Sequence, residues 1–141
     1  MNKEKAKFEF VSNEWVGQAK MILEDLVSQF GVEGVSFSVC ETFTNAPTNI
    51  DPSGVASWHF YINGNSSKAA KGKVEDTDVK INFDYQEALV FAKIIYTEEI
   101  IAKQKKDLAL VKKNLEKKGK VVKEPPEYLS ELHNRLALLT S

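Results

Sequence analysis

The sequence predicts a single α+β domain in which a mostly antiparallel sheet of four to five strands is covered by helices. Three observations carry this. Apolar residues recur at intervals of three and four from Asn13 to Phe30, four successive segments alternate with period two between Val35 and Phe83, and helical spacing returns from Tyr85 onward. Strands that follow one another without an intervening helix read as an antiparallel sheet with one covered face. A chain of 141 residues suits one domain over 1–141, and such a chain removes roughly two thirds of its unfolded surface from water.

The first helix runs from Asn13 to Phe30, with Ser12 or Asn13 as the cap and Glu14 in the first turn, where the helix dipole favours an acid. Trp15, Ala19, Ile22, Leu23, Leu26 and Phe30 make its apolar face, and Gly31 and Gly34 end it. From Val35 to Phe43 the side chains alternate, with Val35, Phe37, Val39, Glu41 and Phe43 on one side and Ser36, Ser38, Cys40 and Thr42 on the other. The prolines, glycine and turn-forming side chains of NAPTNIDPSG make a loop. A second strand follows from Val55 to Ile62, carrying Ala56, Trp58, Phe60 and Ile62 opposite Ser57, His59 and Tyr61. Asn63-Gly64 signals a hairpin. Lys68 to Val74 reads as a strand of small residues, and Asp78 to Phe83 as one with Val79, Ile81 and Phe83 on a single face. Tyr85 to Tyr96 then reads as a helix buried against the sheet. A lysine-rich helical segment occupies about 97–123, and Pro125 and Pro126 open a last helix, about 126–139, striped by Leu129, Leu132, Leu136 and Leu139.

Composition excludes several classes. The chain is 43% hydrophobic and 28% charged, which is ordinary for a globule and unlike a disordered tail. No run approaches the roughly 18 apolar residues of a membrane span. Cys40 is the sole cysteine, so no intrachain disulfide forms, and the expected home is a reducing cytoplasm. Lys103 to Lys123 holds nine lysines against Asp107 and Glu116, while the net charge is -1. A basic segment on an acidic body raises nucleic acid as a partner. The lone arginine, Arg135, and the absence of aromatics from the basic stretch weigh against it, because base recognition leans on guanidinium forks and stacking.

His59 and His133 are the only histidines, which rules out a three-histidine metal site. No metal and no cofactor is expected, since no phosphate-cradling loop, dinucleotide fingerprint or metalloprotease helix occurs. Cys40 lacks an evident neighbouring base and reads as a packed strand residue. Glu41 is the informative polar position. Alternation sets it among Phe37, Val39 and Phe43, where an unpaired carboxylate forfeits several kcal/mol of hydration. Three readings remain open: a strand end frayed to water, a partner for the carboxylate, or a polar anchor inside a cavity. The aromatics Phe37, Phe43, Trp58, Phe60, Phe83 and Phe91 come from four elements and converge between sheet and helices. They either interdigitate without a void or line a concave apolar site.

The stretch VASWHFYINGNSSKAAKGKVEDTDVKINFDYQEALVFAK resembles the central part of the sterol carrier protein domain. The shared features are an aromatic strand ending in a turn, a Gly-containing strand, an acidic turn, a strand of the form D-x-x-x-x-F-D and a helix. The resemblance covers roughly Asn13 to Tyr96. It implies an apolar tunnel for sterols, fatty acids or acyl-CoA, with Trp58, Phe60, Ile81, Phe83, Leu89 and Phe91 as ligand contacts; the strand alternation adds Phe37 and Glu41 to the candidate ligand-binding residues. One departure is plain: a lysine-rich helix stands where those domains continue with another strand.

The expected function is therefore non-catalytic binding of a hydrophobic small molecule: a lipid, a sterol-like compound or an acyl chain. Two alternatives belong to other classes. The C-terminal helices offer a surface for a homodimer or another protein, and Glu41, His59 or Tyr61 could supply acid-base groups for a small enzyme acting on a hydrophobic substrate.

Overall fold

The computed structural model describes residues 6–119 and 125–141. Its first element, α1 (Asn13–Phe30), starts where the Ser12 side chain accepts from the Trp15 amide at 3.2 Å, and it buries Trp15, Val16, Ala19, Leu23, Leu26 and Val27. Phe30 lies off that face. It is 54% exposed and stacks on Tyr128 instead, because the chain turns away at Gly31, whose N–H donates to Val27 O at 2.8 Å. A Cβ at residue 31 would collide with the backbone oxygens of Gly64 and Val27. Only glycine lets the hairpin turn at Gly64 and Asn65 come this close, and Asn65 Nδ2 seals the contact by donating to Gly31 O at 3.1 Å.

The strands β1 (Ser36–Thr44), β2 (Ala56–Asn63), β3 (Ser66–Lys71) and β4 (Val79–Asp84) form one sheet in the order β3-β2-β1-β4. The sheet is mixed, so the mostly antiparallel expectation holds in part: β2 runs antiparallel to both β1 and β3, but β4 runs parallel to β1. The reason lies in residues 72–78. Instead of folding back beside β3, they cross the polar outer face of the sheet and deliver the chain to the far edge. Three outer-face side chains hold them there. His59 Nδ1 donates to Gly72 O at 2.8 Å, the Tyr61 hydroxyl to Asp76 at 2.5 Å, and the Ser38 hydroxyl to the Asp78 carboxylate at 3.1 Å. The third strand is accordingly displaced from the expected Lys68 to Val74, since Gly64 and Asn65 form the turn and Gly72 already belongs to the crossing.

On the inner face the register builds rows. Phe43 lies between Ala56 and Phe83, Glu41 between Trp58 and Ile81, and Val39 between Phe60 and Val79. The helices α2 (Tyr85–Ala92), α3 (Glu98–Lys117) and α4 (Leu129–Leu139) follow the sheet. α2 is capped by Asp84, whose side chain accepts from the Gln86 and Glu87 amides. It is shorter than the expected Tyr85 to Tyr96 and less buried. Only Tyr85 and Ala88 are enclosed, while Val90, Ile94 and Ile95 are exposed. Pro125 and Pro126 precede α4 by a turn rather than opening it. The basic segment is helical through Lys117, and the expected break at GKVVKEPP falls largely on residues 120–124, outside those described.

Both ends of the described chain are tied to the core. Phe8 N donates to Leu139 O at 2.7 Å and Ser141 N to Phe8 O at 2.9 Å, while Trp15 Nε1 donates to Thr140 Oγ1 at 3.0 Å. Val11, fully buried with φ of 62°, sits in the left-handed region that β-branched residues avoid. This turn lets Phe10 and Val11 both enter the core just before Ser12 caps α1. Among the described residues no helix is long and apolar enough to cross a membrane.

Candidate functional site

The inner face of the sheet is only partly covered. Between it, α2, α4 and the Phe10–Trp15 stretch lies a cleft of about 440 Å³, within the range of small-molecule sites. Phe10, Trp15, Phe43, Trp58, Leu132 and Leu136 form its buried end, whereas Phe83 and Phe91, 50% and 58% exposed, stand at its mouth. The buried aromatics hold one another: Phe10 and Trp15 meet edge to face at 5.1 Å, as do Trp15 and Trp58 at 5.2 Å. Such contacts add about 0.5–1.5 kcal/mol per pair beyond burial, so the wall is preformed.

Among the described residues Glu41 is the only carboxyl in this lining. Because Trp58 is its direct cross-strand neighbour, the indole Nε1 donates to Glu41 Oε1 at 2.8 Å. No described residue donates to the second oxygen, Oε2, among the hydrogen bonds of the structure. The part of Glu41 that stays accessible opens on the cleft, so burial still pushes its carboxyl up to about 7, against a smaller opposing effect of the Trp58 hydrogen bond. The frayed-end reading of this residue is corrected: β1 is an interior strand, and its ladder continues past Glu41 to Thr44.

The rim is organised by α4. His133 donates from Nε2 to Ile94 O at 2.7 Å and stacks on Tyr96 with ring centroids 3.7 Å apart. Its burial holds the imidazole below its ordinary value, partly offset by the bond to Ile94. Asn134 clamps both backbone groups of Tyr96, accepting from its N–H at 2.7 Å and donating to its carbonyl at 3.1 Å. These bonds explain why α2 stops at Ala92: the backbone groups that a longer helix would use are taken by α4. Tyr96, Leu129 and His133 also line a second groove of about 490 Å³ against Ile101, Leu108 and Ala109 of α3, so the stacked pair is the partition between the two. Asn134→Ala should cost about 1–3 kcal/mol and speed hydrogen exchange at the Tyr96 amide. Denaturant unfolding and amide exchange measure the two effects.

Of the residues singled out from sequence, Glu41, Trp58, Phe60, Ile81, Phe83 and Phe91 lie in the cleft lining, and Phe37 and Leu89 do not. Phe37 packs in the core and borders a separate, more polar depression with Ser36, Ser38 and Tyr61. Leu89 is half-buried against the core from α2, one position around the helix from Ala88. Phe10, Tyr96 and His133 also line the cleft, and no local pattern in the sequence marks them for it. Phe10 precedes the first recognisable helix, and the other two are placed by contacts between distant elements.

The acid-base trio does not assemble. Glu41 faces the cleft, whereas His59 and Tyr61 face outward under the 72–78 crossing. Cys40, 2% exposed on that outer face, does have a cross-strand neighbour able to act as a base, His59, a pairing invisible before the register was known. The ring nitrogen Nδ1 of His59 is committed to Gly72 O. Among the described residues no group of three or more His, Cys, Asp or Glu side chains could hold a metal ion.

Fold and site together define an α+β protein with one open sheet and an apolar cleft, holding a single carboxyl, between that sheet and its helices. Likeness narrows it no further: no protein-family model, no curated protein and no solved structure matches the chain.

Proposed function

We propose that the protein binds an apolar small molecule in this cleft, without chemistry on it, and that Glu41 anchors the polar end of that molecule. The observation that carries the reading is the cleft itself, about 440 Å³ lined by aromatic and aliphatic side chains around one carboxyl oxygen that no described residue engages. A ligand covering this wall gains roughly 25 cal/mol for each Å² of apolar surface taken from water. A lipid, a sterol-like compound or an acyl chain has the apolar body this requires. The resemblance of residues 55–93 to the sterol carrier pattern points the same way.

Native mass spectrometry of the purified protein, followed by denaturing extraction, tests the proposal. A stoichiometric apolar compound is expected. Because Trp15 and Trp58 both line the cleft, titration with Nile red or a sterol should also change tryptophan emission. An empty protein whose emission no apolar probe alters overturns the reading.

A further inference from the structure

We infer that the cleft selects its ligand by a head group that donates a hydrogen bond, a hydroxyl or an amine, and rejects molecules ending in a carboxylate or phosphate. This rests on the binding reading above and names the class of ligand that the site takes.

The polar atoms of the lining decide the matter. Both indole N–H groups are spent inside the protein, Trp15 Nε1 on Thr140 Oγ1 and Trp58 Nε1 on Glu41 Oε1. His133 uses Nε2 to donate to Ile94 O, and burial disfavours its cationic form, which leaves Nδ1 an acceptor. Glu41 Oε2 is an acceptor whenever the carboxyl is ionised. The Tyr96 hydroxyl is able to act either way. Among the described residues no lysine or arginine lines the cleft. The nearest cation along the same row of the sheet, Lys71, lies beyond Trp58 and donates from Nζ to Ile50 O at 2.6 Å.

An anionic head would therefore enter an apolar site that already holds a carboxyl and offers no cation. Like charges facing each other with little water between them repel, and at a pH above the carboxyl's raised value relief by protonation works against binding. A hydroxyl or ammonium instead supplies the donor that Oε2 lacks, and an ammonium also neutralises the carboxylate.

Three probes with one tail separate the possibilities: decanol, decylamine and decanoate, titrated at about pH 8 into the wild-type protein and Glu41→Gln, with Nile red as a neutral control. Decanol and decylamine should each bind wild type at least about tenfold more tightly than decanoate, a difference of about 1.4 kcal/mol. In Glu41→Gln the amine should lose about tenfold and decanoate should gain, because the repelling charge is gone. Decanoate binding to wild type as tightly as either other probe overturns the inference while Nile red binding keeps the cleft reading intact. The same selectivity in Glu41→Gln also overturns it. Failure of Nile red and all three probes removes the cleft reading, and this inference with it.

Discussion

Glu41→Gln is expected to make the protein more stable than wild type at about pH 8, by up to about 3 kcal/mol, and to leave it nearly unchanged near pH 4.5. The carboxyl titrates at 4.5 in an ordinary setting and at about 7 here, chiefly because it is buried. Between those values the folded chain keeps a proton that the unfolded chain has released. The stabilisation from Glu41 is thus complete below the lower value, declines as pH rises, and is gone above about 7. Glutamine has no such titration, and its carbonyl still accepts from Trp58. His133 slopes the other way: its lowered value means that its contribution is present at higher pH and lost as pH falls below 6.5. Comparing wild type with Glu41→Gln cancels the histidine. Urea unfolding of both proteins at several pH values makes the measurement, and superimposable pH profiles would show that Glu41 is not buried as described. Water entering the cleft reduces the difference below its upper figure.

Phe43→Ala is expected to cost about 3–5 kcal/mol. Phe43 is 1% exposed, stands at the C-terminal end of β1 between Ala56 and Phe83, and meets Phe10 with ring centroids 4.9 Å apart. Phe10 in turn contacts Trp15 and Tyr85, and the Tyr85 hydroxyl donates to Phe10 O at 2.5 Å. Removing the Phe43 ring therefore unsupports the wall that carries the cleft. Phe43→Leu, which keeps most of the volume, should cost less than half as much. Equal losses in denaturant unfolding for the two substitutions would mean that ring volume is not what holds this wall. In ligand titrations Phe43→Leu should weaken apolar probes without altering their order of preference, since it leaves Glu41 and Trp58 in place.

Much of this architecture was legible from periodicity. The 3.6-residue pattern with Ser12 and Gly31 around it bounded α1 within the chain, and strict alternation located β1 and β2 to within a residue. The odd placement of Glu41 on the apolar side of a strand was equally visible, and it singled out the carboxyl of the cleft. Less was legible where local patterns are ambiguous. The small residues of β3 do not mark its ends, and the aliphatic run after Tyr85 looks like a buried helix although α2 stops at Ala92 with Phe91 open to the mouth.

Periodicity is a property of neighbouring residues, so the chain alone settled which segments are helices or strands and which side of each is apolar. Whether those apolar sides would close on one another was settled only by how the elements meet. The parallel arrival of β4 beside β1 depends on bonds from Ser38, His59 and Tyr61 to a crossing segment up to 40 residues away. The end of α2 depends on His133 and Asn134, about 40 residues further on. The cleft exists because α4 ties down the stretch from Ile94 to Tyr96 and so leaves α2 short of covering the sheet, a balance of long-range hydrogen bonds and packing that no local pattern records.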